Sequence, residues 1–297
     1  MKSPATDTVA ALVATFRVFR ESAPSWFIPV ALIAVVGELP EAALRYYARD
    51  YFGSLVAGGG ADLVAIQALG MSALLGLLFA LTMQLAAVLW GFLVISEVAA
   101  GRPAGIAEGL RRTLAWRLQF SWLISVFMIT TGHRLWFIGG CFLLVPFGFA
   151  LTDAYERATG MAALGRAGRL GFSIGPHGGK LAVPMAIAST VLLFGIVVAD
   201  VFLAGVSAVF SPAVNIGALT EVSQQLIDPT GNGADLLSRI VMAVLPEPSL
   251  TGIAVGLLLS PWTVIAQLLA LTVPVVAYHD AARIDAARAQ PVLGDAA

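Results

Sequence analysis

The chain has 297 residues, of which 59% are hydrophobic and only 12% charged, with a formal net charge of −1. A water-soluble domain carries about 25% charged residues, so this apolar excess is too large to hide in a core and excludes an ordinary soluble globule. The charge balance excludes bulk attraction to nucleic acid, and the single cysteine, Cys141, excludes an intrachain disulfide or a thiolate metal cluster.

In chain order, Thr8–Arg20 reads as an amphipathic helix lying on the membrane surface, capped by Asp7. Arg17, Arg20 and Glu21 interrupt the apolar run before a cleavable signal segment is complete. Trp26–Leu44 is the first predicted span, given that about 20 residues cross about 30 Å of hydrocarbon. Glu38 and Glu41 fall near its far end, on either side of Pro40. Leu63–Ser96 runs 34 residues without a charge and reads as one long helix. Leu118–Thr152 is interrupted by Gly132-His133-Arg134 and is either one broken span or a tight hairpin of two. Leu181–Phe210 and Thr251–Tyr278 complete the series.

The positive-inside rule separates the two alternatives. With a hairpin there are six spans, and thirteen of the seventeen basic residues lie in inner segments. With a single span there are five, each side holds eight, and Arg134 is stranded in hydrocarbon at about 2.5–3.5 kcal/mol. The expected fold is therefore all-α: a polytopic membrane helix bundle of about six transmembrane helices with amphipathic interfacial helices, both termini inside. Its parts are an N-terminal interfacial helix over 1–25, a membrane domain over 26–280 and an inner tail over 281–297.

Two inner segments, Gly105–Trp116 and Gly160–Leu170, read as short basic amphipathic helices. They align loosely at an offset of 55 residues, as an internal repeat or as two independent surface helices. Their basic residues and those beside them, Arg111, Arg112, Arg117, Arg166, Arg169 and Lys180, are candidate contacts for anionic lipid. Orientation alone is the competing explanation for these charges. Residues 211–250, with Glu221, Asp228, Asp235 and Glu247 against Arg239, read as an outer helical cap turning at Asp228-Pro-Thr-Gly-Asn-Gly233.

No His-x-x-x-His or Cys-x-x-Cys spacing suits a metal, spacing alone leaves a mononuclear carboxylate site open, and no elbow or partnered nucleophile suits covalent catalysis. Gly175-Pro-His-Gly-Gly-Lys180 is one residue short of a phosphate loop and has Leu181 where a hydroxyl is needed. No cofactor and no enzymatic role are expected. The polar residues that demand explanation are Glu38, Glu41, Arg134 and Asp200, which would line an outward-facing polar cavity. The opposing reading is that Pro40 ends the span early, Glu41 pairs with Arg45, and Glu38 and Asp200 reach the interface. Glu97, near the inner end of its helix, is expected to pair with Arg102 or with a residue of the next basic helix.

Three short motifs carry a family resemblance: Leu143-Leu-Val-Pro-Phe-Gly148 followed by Asp153-Ala-Tyr-Glu156, Ala163-Leu164-x-Arg166, and Tyr278-His-Asp280. In this order they resemble bacterial six-span proteins related to the glycerophosphodiester phosphodiesterase membrane domain and the YciC-like membrane proteins. Phe147, Ala167 and the late Arg283 depart from that pattern. The resemblance implies an inner-membrane protein of bacteria with no catalytic residues in this chain. The expected role is a scaffold, accessory subunit or lipid-interacting component, with membrane lipids and other membrane-protein subunits as partners and no nucleic acid. The alternative is a small-solute transporter or channel using Glu38 and its neighbours.

Overall fold

The computed structural model describes residues 7–56, 63–103, 111, 148–157, 162, 165, 178–210 and 250–289. Four long helices dominate: α1 (Thr8–Val56), α2 (Leu63–Ala99), α3 (Gly178–Phe210) and α4 (Leu250–Ala289). A further helical stretch covers 148–157. Each long helix contains a segment long and apolar enough to cross a membrane: Thr8–Leu44, Gln67–Ala99, Ile187–Val206 and Thr251–Arg283. Exposed large side chains such as Leu32, Met71, Leu78, Phe194, Phe202 and Leu258 are apolar. Water-soluble surfaces rarely carry apolar area on this scale, and helices satisfy their own backbone polar groups in lipid.

The expected helices over 63–96, 181–210 and 251–278 are all present, the first two extended by three residues and the last running on to Ala289. At the first span the structure corrects the reading from Pro40. The helix does not end there; α1 continues to Val56. A proline inside a helix loses one donor and crowds one carbonyl, a cost of about 3 kcal/mol that surrounding structure can absorb. The N-terminal segment also runs into the span without a break, so the boundary drawn at residue 25 falls inside α1. Asp7 caps it as the sequence suggests, its Oδ1 accepting from Ala10 N–H at 3.0 Å. The hairpin around Arg134, both basic inner helices apart from isolated residues, and the outer cap lie outside the described residues.

The chain groups into two compact units. One takes its described residues from Met1–Val30, Val88–Val198 and Ile265–Ala297. Its core holds Trp26, Phe92, Phe149, Tyr155, Leu268 and Leu271, all fully buried or nearly so. Every residue of 91–97, 148–155 and 270–278 is buried, so these stretches are enclosed all round. Gly148 makes this density possible, because a Cβ there would lie 2.3 Å from Pro274 Cγ. Phe92 meets Tyr155 edge-on at 6.0 Å, and Phe149 meets Tyr278 at 5.8 Å. Trp26 is sealed inside this unit, its indole N–H donating to Ser22 Oγ at 3.0 Å within the same helix.

The other unit spans Ala31–Ala87 and, among the described residues, parts of Ala199–Val264. Gly37 faces Met83 and Gly76 faces Pro40, so α1 and α2 approach closely here. The Asp200 carboxylate accepts a hydrogen bond from Trp262 Nε1 at 2.6 Å, tying α3 to α4.

Candidate functional site

The end of α2 is built to project an arginine. Gly101 has φ of +73°, the left-handed region that glycine enters without a Cβ penalty. Gly101 N–H donates to Val98 C=O at 3.0 Å, and Arg102 N–H donates to Glu97 C=O at 2.9 Å. This is a Schellman closure. It folds the chain back so that Arg102 lies over Glu97, five residues earlier, a separation that a regular helix does not bring onto one face.

Arg102 then grips two carboxylates. Its Nε donates to Glu97 Oε2 at 2.8 Å and its Nη2 to Glu97 Oε1 at 3.2 Å. Nη1 donates to Glu156 Oε2 at 2.9 Å and Nη2 to Glu156 Oε1 at 2.5 Å. Both pairings are forked, the geometry that suits a planar guanidinium. The hydrogen bonds from Glu156 and then Glu97 raise the Arg102 pKa well above its ordinary value, against a smaller opposing effect of burial, so the group stays charged. The side chains of Glu97 and Glu156 are mostly buried, whereas that of Arg102 is partly exposed.

The cluster extends further. Tyr155 O–H donates to Glu97 Oε1. Asp153 is fully buried, accepts from Tyr278 O–H at 2.8 Å and forms an ion pair with Arg157 Nε at 3.2 Å. His279 Nε2 is buried 3.9 Å from Glu156 Oε1, too far for a hydrogen bond, and has no hydrogen-bond partner among the described residues. Three carboxylates thus meet two guanidiniums, with two phenols each donating to one of the carboxylates. Chemically, this arrangement locks three pieces of chain together: the end of α2, residues 148–157 and α4.

The Glu97–Arg102 pairing is the one part of this cluster expected from the sequence. The motifs that contain Glu156, Tyr155, Asp153 and Tyr278 do not by themselves mark a site. Asp153-Ala-Tyr-Glu156 and Tyr278-His-Asp280 are the two stretches that meet. Acids at positions 153 and 156, three apart on a helix, were the available signal. Tyr278→Phe tests this join: it leaves the Asp153 carboxylate one donor short, and thermal unfolding in detergent should show a loss of about 1–3 kcal/mol. A loss below 0.5 kcal/mol, on the order of a surface substitution, would mean Arg157 suffices alone.

Of the polar residues expected to converge, Glu38 is half-buried on α1 and Glu41 follows one turn later on the same helix. Asp200 is partly buried against Trp262, and Arg134 lies outside the described residues. Of the candidate lipid contacts, Arg111 is exposed and Lys180 begins α3, while Arg112, Arg117, Arg166 and Arg169 lie outside the described residues. Among the described residues no group of three or more His, Cys, Asp or Glu is placed to hold a metal ion. Compared with known proteins, the chain matches no family model, no curated protein and no solved structure.

Proposed function

We propose that this chain is a multi-pass inner-membrane protein of bacteria, with six spans and both termini inside. In this reading it serves as a scaffold or accessory subunit that contacts lipid and other membrane proteins, akin to the six-span group that its motifs resemble. The observation that carries the reading is the use made of the charges around the buried Asp153 and the mostly buried Glu97 and Glu156. Glu97, Arg102, Glu156, Asp153 and Arg157 are engaged with one another and with two tyrosines, across three pieces of chain. Such residues act as internal ties, while large side chains that face outward along the helices, among them Leu32, Leu78 and Phe202, are apolar. A component of this kind contributes a rigid membrane-embedded surface.

Small-solute transport is the second reading, and Asp200 favours it. This carboxylate sits inside the apolar segment Ile187–Val206, held by an indole N–H. Intramembrane carboxylates often mark an ion or substrate path. Mild-detergent purification of tagged protein from its native membrane, followed by mass spectrometry, separates the two. A stoichiometric protein partner supports the accessory role. Protein recovered alone overturns it in favour of transport, for which Glu38→Gln and Asp200→Asn should abolish uptake into proteoliposomes without loss of folding.

A further inference from the structure

The first turns of α1 present a surface with two chemistries on one side. Ala11, Thr15, Ser22, Trp26 and Val30 form its buried side. On the opposite side Val9, Val13 and Phe16 are exposed, then Arg17 and Arg20, then Phe27 and Ile28. At 100° per residue Arg20 and Phe27 lie within about 20° of each other around the helix, and Arg17 and Ile28 do likewise. Along the axis each arginine stands about 10–17 Å from its apolar counterpart at about 1.5 Å per residue. With headgroups about 5–7 Å above the hydrocarbon boundary, that offset runs from a phospholipid phosphate to the middle and lower part of its acyl chain.

The arginines are available for such a ligand. Both are exposed, and among the described residues neither makes an ion pair. Glu21 shares the turn, is itself exposed and pairs with neither, so the turn keeps a net positive charge. Residues 22–37, the next stretch of α1, carry no ionisable group. The arginines therefore mark the headgroup level, directly above an uncharged stretch. The continuity of α1 from Thr8 is essential here, because a break near residue 25 would separate the charges from the apolar strip.

We infer that Arg17 and Arg20 hold the phosphate of an anionic phospholipid whose acyl chain lies along Phe27 and Ile28. This deepens the lipid-contact part of the proposed role. Recovery of the protein without a partner would defeat the accessory role and leave this site standing.

The test uses the purified full-length protein, delipidated in detergent and titrated with phosphatidylglycerol or phosphatidylcholine by native mass spectrometry. Phosphatidylglycerol is expected to bind more tightly, with its advantage falling about fivefold per arginine removed, equivalent to about 1 kcal/mol for each charge near the surface. Arg17→Gln/Arg20→Gln should lose about 25-fold on the same basis, and Arg17→Lys/Arg20→Lys should keep most of the preference. In parallel, a photoactivatable phosphatidylglycerol should label wild-type protein within residues 16–28, which decides the matter even if the glutamine variant fails to fold. Equal affinity for both lipids, an unchanged preference in a folded glutamine variant, or labelling confined elsewhere would overturn the site. So would a co-purifying protein that occupies these arginines and excludes lipid.

Discussion

Replacing Arg102 with methionine is expected to cost about 3 kcal/mol of stability. The substitution removes the guanidinium that Glu97 and Glu156, both mostly buried, share. Breaking a buried ion pair by removing one partner costs about 3–5 kcal/mol, and the partial exposure of Arg102 places this case at the lower end. The loss comes from the carboxylates left behind, not from the attraction alone. Accordingly, Arg102→Met combined with Glu97→Gln and Glu156→Gln should recover a large part of it. Arg102→Lys should be intermediate, because an ammonium cannot fork to two carboxylates at once. Unfolding in mixed micelles, followed by tryptophan fluorescence, measures all three variants. A loss under 1 kcal/mol for Arg102→Met would mean that water reaches both carboxylates and that the cluster does not tie the segments together.

The second large effect is steric. In Gly148→Ala, the new Cβ would stand 2.3 Å from Pro274 Cγ and 2.5 Å from Pro274 Cβ. A pyrrolidine ring cannot swing aside as a leucine tip can, so the backbones must part. Overpacking of this kind costs about 1–3 kcal/mol. Parting them also strains the Phe149–Tyr278 contact and the Tyr278–Asp153 hydrogen bond, which lie along the same join. Gly148→Ala/Pro274→Ala should regain stability relative to the single variant. Gly195→Ala is the matched control, because a Cβ there meets nothing within 4 Å. It should be neutral or slightly stabilising, as expected when alanine replaces glycine in an open helix position. Equal losses at Gly148 and Gly195 would mean that the contact with Pro274 is not present in the membrane.

The two sites differ in how visible they were beforehand. Arg102 was readable as a partner for Glu97 because the two are near in sequence and Gly101 announces a helix end. That the same guanidinium also takes Glu156 was not readable. Fifty-four residues separate the pair, and no periodicity links them. Tyr278 and Asp153 are 125 residues apart. Residue spacing likewise gives depth along a helix but not rotation about it. For Asp200, rotation decides the outcome: its carboxylate points at Trp262. Trp26 illustrates the same limit, since it opens the first predicted span yet is fully buried against its own unit.

Local physics therefore settles the helical class, the positions of the long apolar segments, the Asp7 cap and the glycine closure at Gly101. Each depends on neighbours within about five residues, on backbone sterics and on the need for a helix to satisfy its own polar groups in lipid. Tertiary packing alone decides which faces are buried, whether α1 survives Pro40, and which charges meet. Those outcomes depend on contacts between distant stretches, where the close approach at Gly148 and a shared guanidinium outweigh local preferences such as the helix-breaking tendency of proline.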